Sequence, residues 1–293
     1  MRFERAILRQ KVTVADGGWS TQLQLRGVSA DVPAETANLS HPAVVVELAR
    51  AYLDAGARII TTNTFAANRI NLARRGLSEL VVTLNRRGAE LAREAVGGND
   101  ALVAGSIGPS GKILAVREAT EEQLTETFGE QAVALREGGA DVLVLETFSE
   151  LAEVLIALRA VKAATGLPVI ASLSYDSGPQ RTRTMMGAEA GACAKALTAA
   201  GADAIGCNCG SGIGTILPAV VALRQATELP LWVKPNAGLP ELEDGRPVYR
   251  QSPDDFAASL PPLLEAGANL IGGCCGTGPE HIRKIAATVA RIG

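Results

Sequence analysis

Short runs of apolar residues alternate along this chain with longer stretches in which apolar positions recur every three to four residues, and each kind occurs eight times. Strand followed by helix, eight times over, is the pattern of an α/β protein whose parallel sheet closes into a (β/α)8 TIM barrel. Strands are expected at Val12–Ala15, Arg58–Thr62, Leu102–Ser106, Val142–Leu145, Pro168–Leu173, Ala204–Cys207, Leu231–Lys234 and Asn269–Gly272. The amphipathic helices between them include Pro42–Ala55, Leu80–Ala95, Glu121–Glu137, Glu150–Ala164 and Glu189–Ala200. Helices run into Ala55-Gly56-Ala57, Gly138-Gly139-Ala140, Ala200-Gly201-Ala202 and Ala266-Gly267-Ala268 before the next strand begins. That repetition predicts one glycine-terminated turn used again and again. No linker or low-complexity stretch interrupts the alternation, so residues 1–293 read as a single barrel domain.

Composition narrows the partner more than the fold. Lys and Arg number 28 against 31 Asp and Glu, a net charge of −3 with no long block of either sign, which speaks against nucleic acid and for a small molecule. No apolar span reaches membrane length, and Met1-Arg2-Phe3-Glu4-Arg5 lacks the hydrophobic core of a secretory signal, so a cytoplasmic protein without membrane contact is expected. The five cysteines are clustered rather than spread as a disulfide framework, which fits a reducing compartment. His41 and His281 stand where helices start or run and read as capping or surface residues.

Two cysteines are adjacent, in Gly272-Gly273-Cys274-Cys275-Gly276-Thr277, and the flanking glycines allow both sulfurs to turn toward one point. For such a pair alone a metal, a vicinal disulfide and plain buried thiols all stay open. The stretch Gly206-Cys207-Asn208-Cys209-Gly210, also at a strand end, can add a third sulfur and shifts the balance toward metal. Three thiolates suit a soft tetrahedral ion, and zinc with an open fourth position is the catalytic form. Residues two apart in an extended segment share a face, so Cys207 and Cys209 are expected to point the same way, and spacing does not choose between them. Cys193, inside an expected helix, reads as a packed thiol.

Other polar residues collect just past strand ends, where barrel sites are built. They are Asp16-Gly17-Gly18, Asn63, Ser106 within Gly105–Pro109, Glu146-Thr147, and Asn236 in Pro235-Asn236-Ala237-Gly238. Each has a plain reading beside the functional one: an Asp-Gly turn for Asp16, a helix cap for Glu146, a turn former for Asn236.

Taken together, Asp16-Gly17-Gly18, Thr62-Asn63-Thr64-Phe65, Glu146-Thr147, Gly206-Cys207-Asn208-Cys209, Pro235-Asn236-Ala237-Gly238 and Gly273-Cys274-Cys275-Gly276-Thr277 resemble the zinc-dependent homocysteine S-methyltransferase family over nearly the whole chain. The resemblance implies Zn2+ on Cys209, Cys274 and Cys275, with Asn236 as a labile fourth ligand and Cys207 at a variable position. It also implies an amino-acid head held by Asp16 and Glu146 on the ammonium side and by the Gly17 and Gly18 amides on the carboxylate side, with Asn63, Ser106 and Thr147 nearby. The implied reaction is methyl transfer to the thiol of L-homocysteine, forming methionine.

The methyl donor follows less directly. Val233–Pro240, followed by Gly245-Arg246-Pro247-Val248-Tyr249, resembles the branch in which the methyl group comes from a corrinoid on another domain, so a separate methylated corrinoid protein is the first expectation. A sulfonium such as S-methylmethionine is the second, because Trp19, Phe65, Phe148 and Tyr175 follow expected strands and onium groups bind over aromatic faces. Two rival functions are methyl transfer to another thiol or selenol, and a non-catalytic zinc-binding subunit of a corrinoid complex.

Overall fold

The structure, a computed structural model, describes residues 11–243 and 246–292; the opening Met1–Arg5 and Gly245 lie outside them. Eight strands pair in parallel in the order β1 (Thr13–Val14), β10 (Ala268–Ile271), β7 (Leu231–Pro235), β6 (Ala204–Cys209), β5 (Val169–Leu173), β4 (Val142–Phe148), β3 (Leu102–Ile107) and β2 (Ile59–Thr61). Ala15 bridges Ile59, the Asp16 N–H reaches Ile59 O at 3.0 Å and the Arg58 N–H reaches Val14 O at 2.7 Å, which closes the sheet into a (β/α)8 barrel.

Strand alternation sorts the side chains into two cores. Ala15, Ile59, Leu102, Ala104, Val142, Val144, Ile170, Ala204, Trp232 and Leu270 cluster inside the barrel. Their neighbours, among them Ile60, Val103, Leu143, Ile205 and Val233, face outward and merge with the apolar stripes of the helices. Gly206 marks the tightest point, since a Cβ there would stand 1.8 Å from the Trp232 carbonyl oxygen.

The helices end as their sequences predict. Gly56, Gly139, Gly201 and Gly267 all adopt left-handed φ, between 85° and 107°. At the first, the Ala57 N–H reaches back to Tyr52 O and the Gly56 N–H to Leu53 O, the paired closure of a Schellman turn. The helix Glu121–Glu137 begins with a reciprocal capping box between Thr120 and Gln123.

Two differences from the expected elements bear on the site. At the carboxyl side β4 runs on to Phe148 and β6 to Cys209, so Thr147 and Cys209 belong to strands rather than to loops. An antiparallel hairpin, β8 (Pro240–Glu243) with β9 (Arg246–Tyr249), follows β7. The strand–helix alternation hid it because every residue of β8 is exposed and shows no apolar period. Among the described residues no helix is long and apolar enough to cross a membrane.

Candidate metal centre

β6 delivers its last cysteine by breaking its own alternation. Ile205 and Cys207 face the outer core, and Cys207 has no exposed surface. The same period would bury Cys209 beside them. Instead Cys209 has a φ of 60°, a left-handed angle uncommon outside glycine, and its sulfur comes to 3.0 Å from Cys274 Sγ. The expectation that Cys207 and Cys209 share a face is therefore corrected, and one backbone angle is the reason. Cys209, Cys274 and Cys275 place their sulfurs within 4.8 Å of one another; Cys193, Cys207 and both histidines stay outside this group.

Backbone contacts fix the adjacent pair. The Cys274 N–H donates to Pro235 O at 2.8 Å and the Cys275 N–H to Asn236 Oδ1 at 3.0 Å, while Asn236 Nδ2 donates to Gly210 O at 2.8 Å. The Asn236 amide thus ties the loop after Cys209 to Cys275, with its oxygen already engaged by a backbone N–H. Tyr249, from the hairpin, packs against Gly276 and turns its hydroxyl to Cys275.

The three thiols are unequal. Hydrogen bonds from Cys209 and then Cys274 hold Cys275 well below an ordinary thiol, whereas Cys209, hydrogen-bonded to the other two and buried, is pushed up. A cation at their centre would draw all three toward thiolate. About 3.8 Å separates two sulfurs on a tetrahedral zinc with bonds near 2.3 Å, so the 3.0 Å pair would need to open by less than about 1 Å. The donor set, all sulfur with one position left over, fits such an ion.

Beside the sulfurs lies a buried charge cluster that centres on Lys234. Asp16 Oδ1 accepts from Lys234 Nζ at 2.5 Å, and Asp16 Oδ2 accepts from the Thr61 N–H at 2.7 Å, Thr61 Oγ1 at 2.8 Å and Trp19 Nε1 at 3.0 Å. Burial pulls the Lys234 ammonium down, but Asp16 and Glu146 outweigh it and keep the lysine charged. Glu146 is buried and pushed up to about 7, first by desolvation and then by the charge on Cys274, against the pull of Lys234 and of the Ser106 hydroxyl, which donates to its Oε1 at 2.5 Å.

Neither plain reading of these carboxylates matches the structure. Asp16 spans three elements rather than closing a local turn, and Glu146 bonds Ser106 rather than capping the helix Leu151–Thr165. Asn63 Nδ2 donates to Ala34 O at 2.7 Å and Asn38 Oδ1 at 3.1 Å, which ties it to the segment before the helix Pro42–Asp54. The expectation for Gly18 needs correction. The Gly18 N–H is spent on Thr277 O at 3.0 Å, which leaves Gly17 as the remaining amide of the pair. Both glycines are demanded by crowding: a Cβ on Gly18 would meet Cys274 O at 2.6 Å and one on Gly17 would meet Thr277 O at 2.9 Å. Phe148 and Tyr175 are buried in the outer core, so of the four aromatic residues only Trp19 and Phe65 keep exposed surface.

His41 precedes the helix Pro42–Asp54 without a side-chain cap, and its Nδ1 lies 2.8 Å from Ser40 Oγ. His281 is not at the surface: it packs edge-on against Phe256, with Nδ1 accepting from the Gly278 N–H and Nε2 3.1 Å from Gln251 O. Sequence reasoning gave Lys234 no role, although a signal was present. A lysine in the otherwise apolar stretch Leu231–Pro235 has to find a counter-charge.

Among known proteins, a family model described as homocysteine S-methyltransferase matches residues 13–289. Methionine synthase of Mycobacterium tuberculosis is 34% identical over 304 residues, covering 98% of this chain, and the chain spans only 25% of that protein's length. Betaine–homocysteine S-methyltransferase 1 of Danio rerio is 33% identical over 94% of this chain and 72% of its own. The metallated crystal structure of the Escherichia coli homocysteine methyltransferase MmuM superposes with a TM-score of 0.82 at 28% identity, covering 97% of this chain and 99% of that one.

Proposed function

The chain belongs to the homocysteine S-methyltransferase family, and on that premise we propose that it transfers a methyl group to the thiol of L-homocysteine, giving methionine. The observation that carries this reading is the convergence of the Cys209, Cys274 and Cys275 sulfurs beside the buried carboxylate of Glu146. In this reading the three cysteines hold Zn2+. Bound there, zinc supplies a position that favours the thiolate of an incoming thiol near neutral pH.

The chain's own residues do the rest. Glu146, oriented by Ser106, receives the substrate ammonium through a charge-assisted hydrogen bond, and the Gly17 amide receives the carboxylate. Asp16, saturated by Thr61, Trp19 and Lys234, fixes the floor of the site rather than binding the substrate itself. Lys234 offsets the accumulated negative charge. Trp19 and Phe65 flank the opening and shield the reacting sulfur from water. The sulfur of homocysteine forms its bond to the methyl carbon as the carbon–donor bond breaks, the electron pair leaves with the donor, and the thiol proton passes to solvent. The need for an ammonium partner at Glu146 disfavours simple alkyl thiols or selenols as acceptors.

For the donor, a methylated corrinoid on a separate protein is the first reading. Leu25, Val116, Met185, Leu239 and Leu242, each 62–79% exposed, stand on segments that follow β1, β3, β5 and β7, an apolar rim suited to a macromolecular partner. The loss of Phe148 and Tyr175 from the mouth also weakens the case for an aromatic cage around an onium group. The second reading is a sulfonium such as S-methylmethionine, for which the partly exposed Trp19 and Phe65 keep aromatic faces available. Methionine formation by the zinc-loaded protein, assayed with homocysteine and each of S-methylmethionine, S-adenosylmethionine, betaine and a methylated corrinoid, tests both. Turnover with none of them, in a protein that binds zinc, would instead support a non-catalytic subunit.

A further inference from the structure

Four described residues other than glycine adopt left-handed φ. Arg117 and Arg181 do so in exposed stretches of chain, where such turns are easily accommodated. Thr147, at 64°, and Cys209, at 60°, do so within β4 and β6 at the site itself. A β-branched residue is poorly suited to that angle, so something must impose it.

Asn208 touches both. It has no exposed surface, and its Oδ1 accepts from the Thr147 N–H at 2.9 Å and from Ser172 Oγ at 2.7 Å. Its Nδ2 donates to Thr147 Oγ1 at 2.6 Å and points to Cys209 Sγ at 3.7 Å, and Thr147 Oγ1 lies 3.6 Å from the same sulfur. Both lone-pair directions of the oxygen and both hydrogens of the nitrogen are in use, which is the full capacity of a carboxamide. Two donors on one side and a hydroxyl oxygen with a sulfur on the other also fix which end of the amide is oxygen.

We propose that Asn208 is the positioning residue of the thiol cluster: one buried carboxamide spans β4, β5 and β6, locks Thr147 and Cys209 in their left-handed turns, and so holds the Cys209 sulfur within reach of Cys274 and Cys275. The proposal rests on reading those three thiols as a metal site. No other side chain at this position meets the same demands. Aspartate lacks the two N–H donors and adds a negative charge beside a thiolate, leucine keeps the volume without any bond, and serine is too short to reach Thr147.

The test is zinc affinity, measured by competition with a chromophoric chelator, together with the thiolate-to-cobalt charge-transfer band of the cobalt(II) form. Asn208→Asp and Asn208→Leu are expected to bind zinc about 10–100-fold more weakly than the unaltered protein and to show a diminished band per bound cobalt. Adding Thr147→Gly is expected to return part of the lost affinity, because glycine takes the left-handed angle without a clamp; a merely structural asparagine would show no such rescue. Should those variants fail to fold, Ser172→Ala carries the same test, since it removes only the bond that orients the amide, and a several-fold loss of affinity is expected. Unchanged zinc affinity and cobalt spectrum in the variants, with normal binding by the unaltered protein, would overturn the proposal and leave the metal reading standing. An unaltered protein that binds no zinc would remove both.

Discussion

Lys234 Nζ and Asp16 Oδ1 stand 2.5 Å apart within the barrel, joining β7 to the end of β1 across the intervening β10, with 3% and 0% of their side chains exposed. Neither charge has water to fall back on. Removing one partner leaves the other buried and uncompensated, so Lys234→Met is expected to destabilise the fold by about 3–5 kcal/mol. The double variant with Asp16→Asn is expected to lose less than the two single variants summed. Urea unfolding of the three variants measures this, and a strictly additive double variant would show that the pair is not coupled.

Glu146 gives the substrate-binding reading a pH signature. Its folded-state value is raised from 4.5 to about 7, so the free site carries a substantial fraction of neutral carboxyl near neutrality and nearly all of it below pH 6. The ammonium of homocysteine needs the ionised form, so affinity is expected to rise with pH through about 7 and to fall in acid, with Glu146 releasing a proton on binding. In Glu146→Gln that component of the pH dependence disappears and affinity drops by about 1.5–3 kcal/mol, with zinc content unchanged. Titration calorimetry in buffers of different ionisation enthalpy reads both, and an equal proton release in the variant would exclude Glu146 as its source.

The two cysteines of β6 are expected to separate cleanly under substitution. Cys209→Ser should lose stoichiometric zinc, whereas Cys207→Ser should keep it and lose only stability, because Cys207 is fully buried in the outer core. Metal analysis of the two purified variants decides, and zinc lost from Cys207→Ser alone would reverse the assignment.

Asn63 is expected to behave as a structural residue. Asn63→Ala removes its hydrogen bonds to Ala34 and Asn38 and should cost about 1–3 kcal/mol in stability. Homocysteine affinity, measured below the unfolding transition, is expected to stay within twofold; a larger loss would return Asn63 to the substrate site.

The barrel was legible in the sequence because its signals are local. Apolar runs, helical periods and the glycines at 56, 139, 201 and 267 each state a preference that the fold then honours. That the thiols of the stretches 207–209 and 274–275 meet could be inferred from two glycine-framed clusters at strand ends, whereas the choice of Cys209 over Cys207 came only from the family resemblance. What the sequence concealed depends on direction. Alternation assigns faces only while φ stays extended, so it failed at Cys209, where one angle reverses the side chain. It equally gave no sign that Phe148 and Tyr175, though close to strand ends, point into the outer core. Lys234 was visible as an anomaly, but its partners at positions 16 and 146 are distant in sequence and meet it only when the sheet closes.

That closure has a thin seam. β1 contributes two residues to the cylinder, and it meets β2 through one bridge, between Ala15 and Ile59. The next rung beyond the bridge is not backbone at all: the Thr61 N–H donates to the Asp16 side chain, so a carboxylate rivets the joint where a strand would otherwise do so. Any local opening of the barrel is expected to begin along this line, and the Thr61 amide reports it through hydrogen exchange. The same rivet also holds Lys234 and Trp19. A ligand seated against them therefore reinforces the joint, and slower exchange at Thr61 on substrate binding would show the barrel being sealed by what it holds.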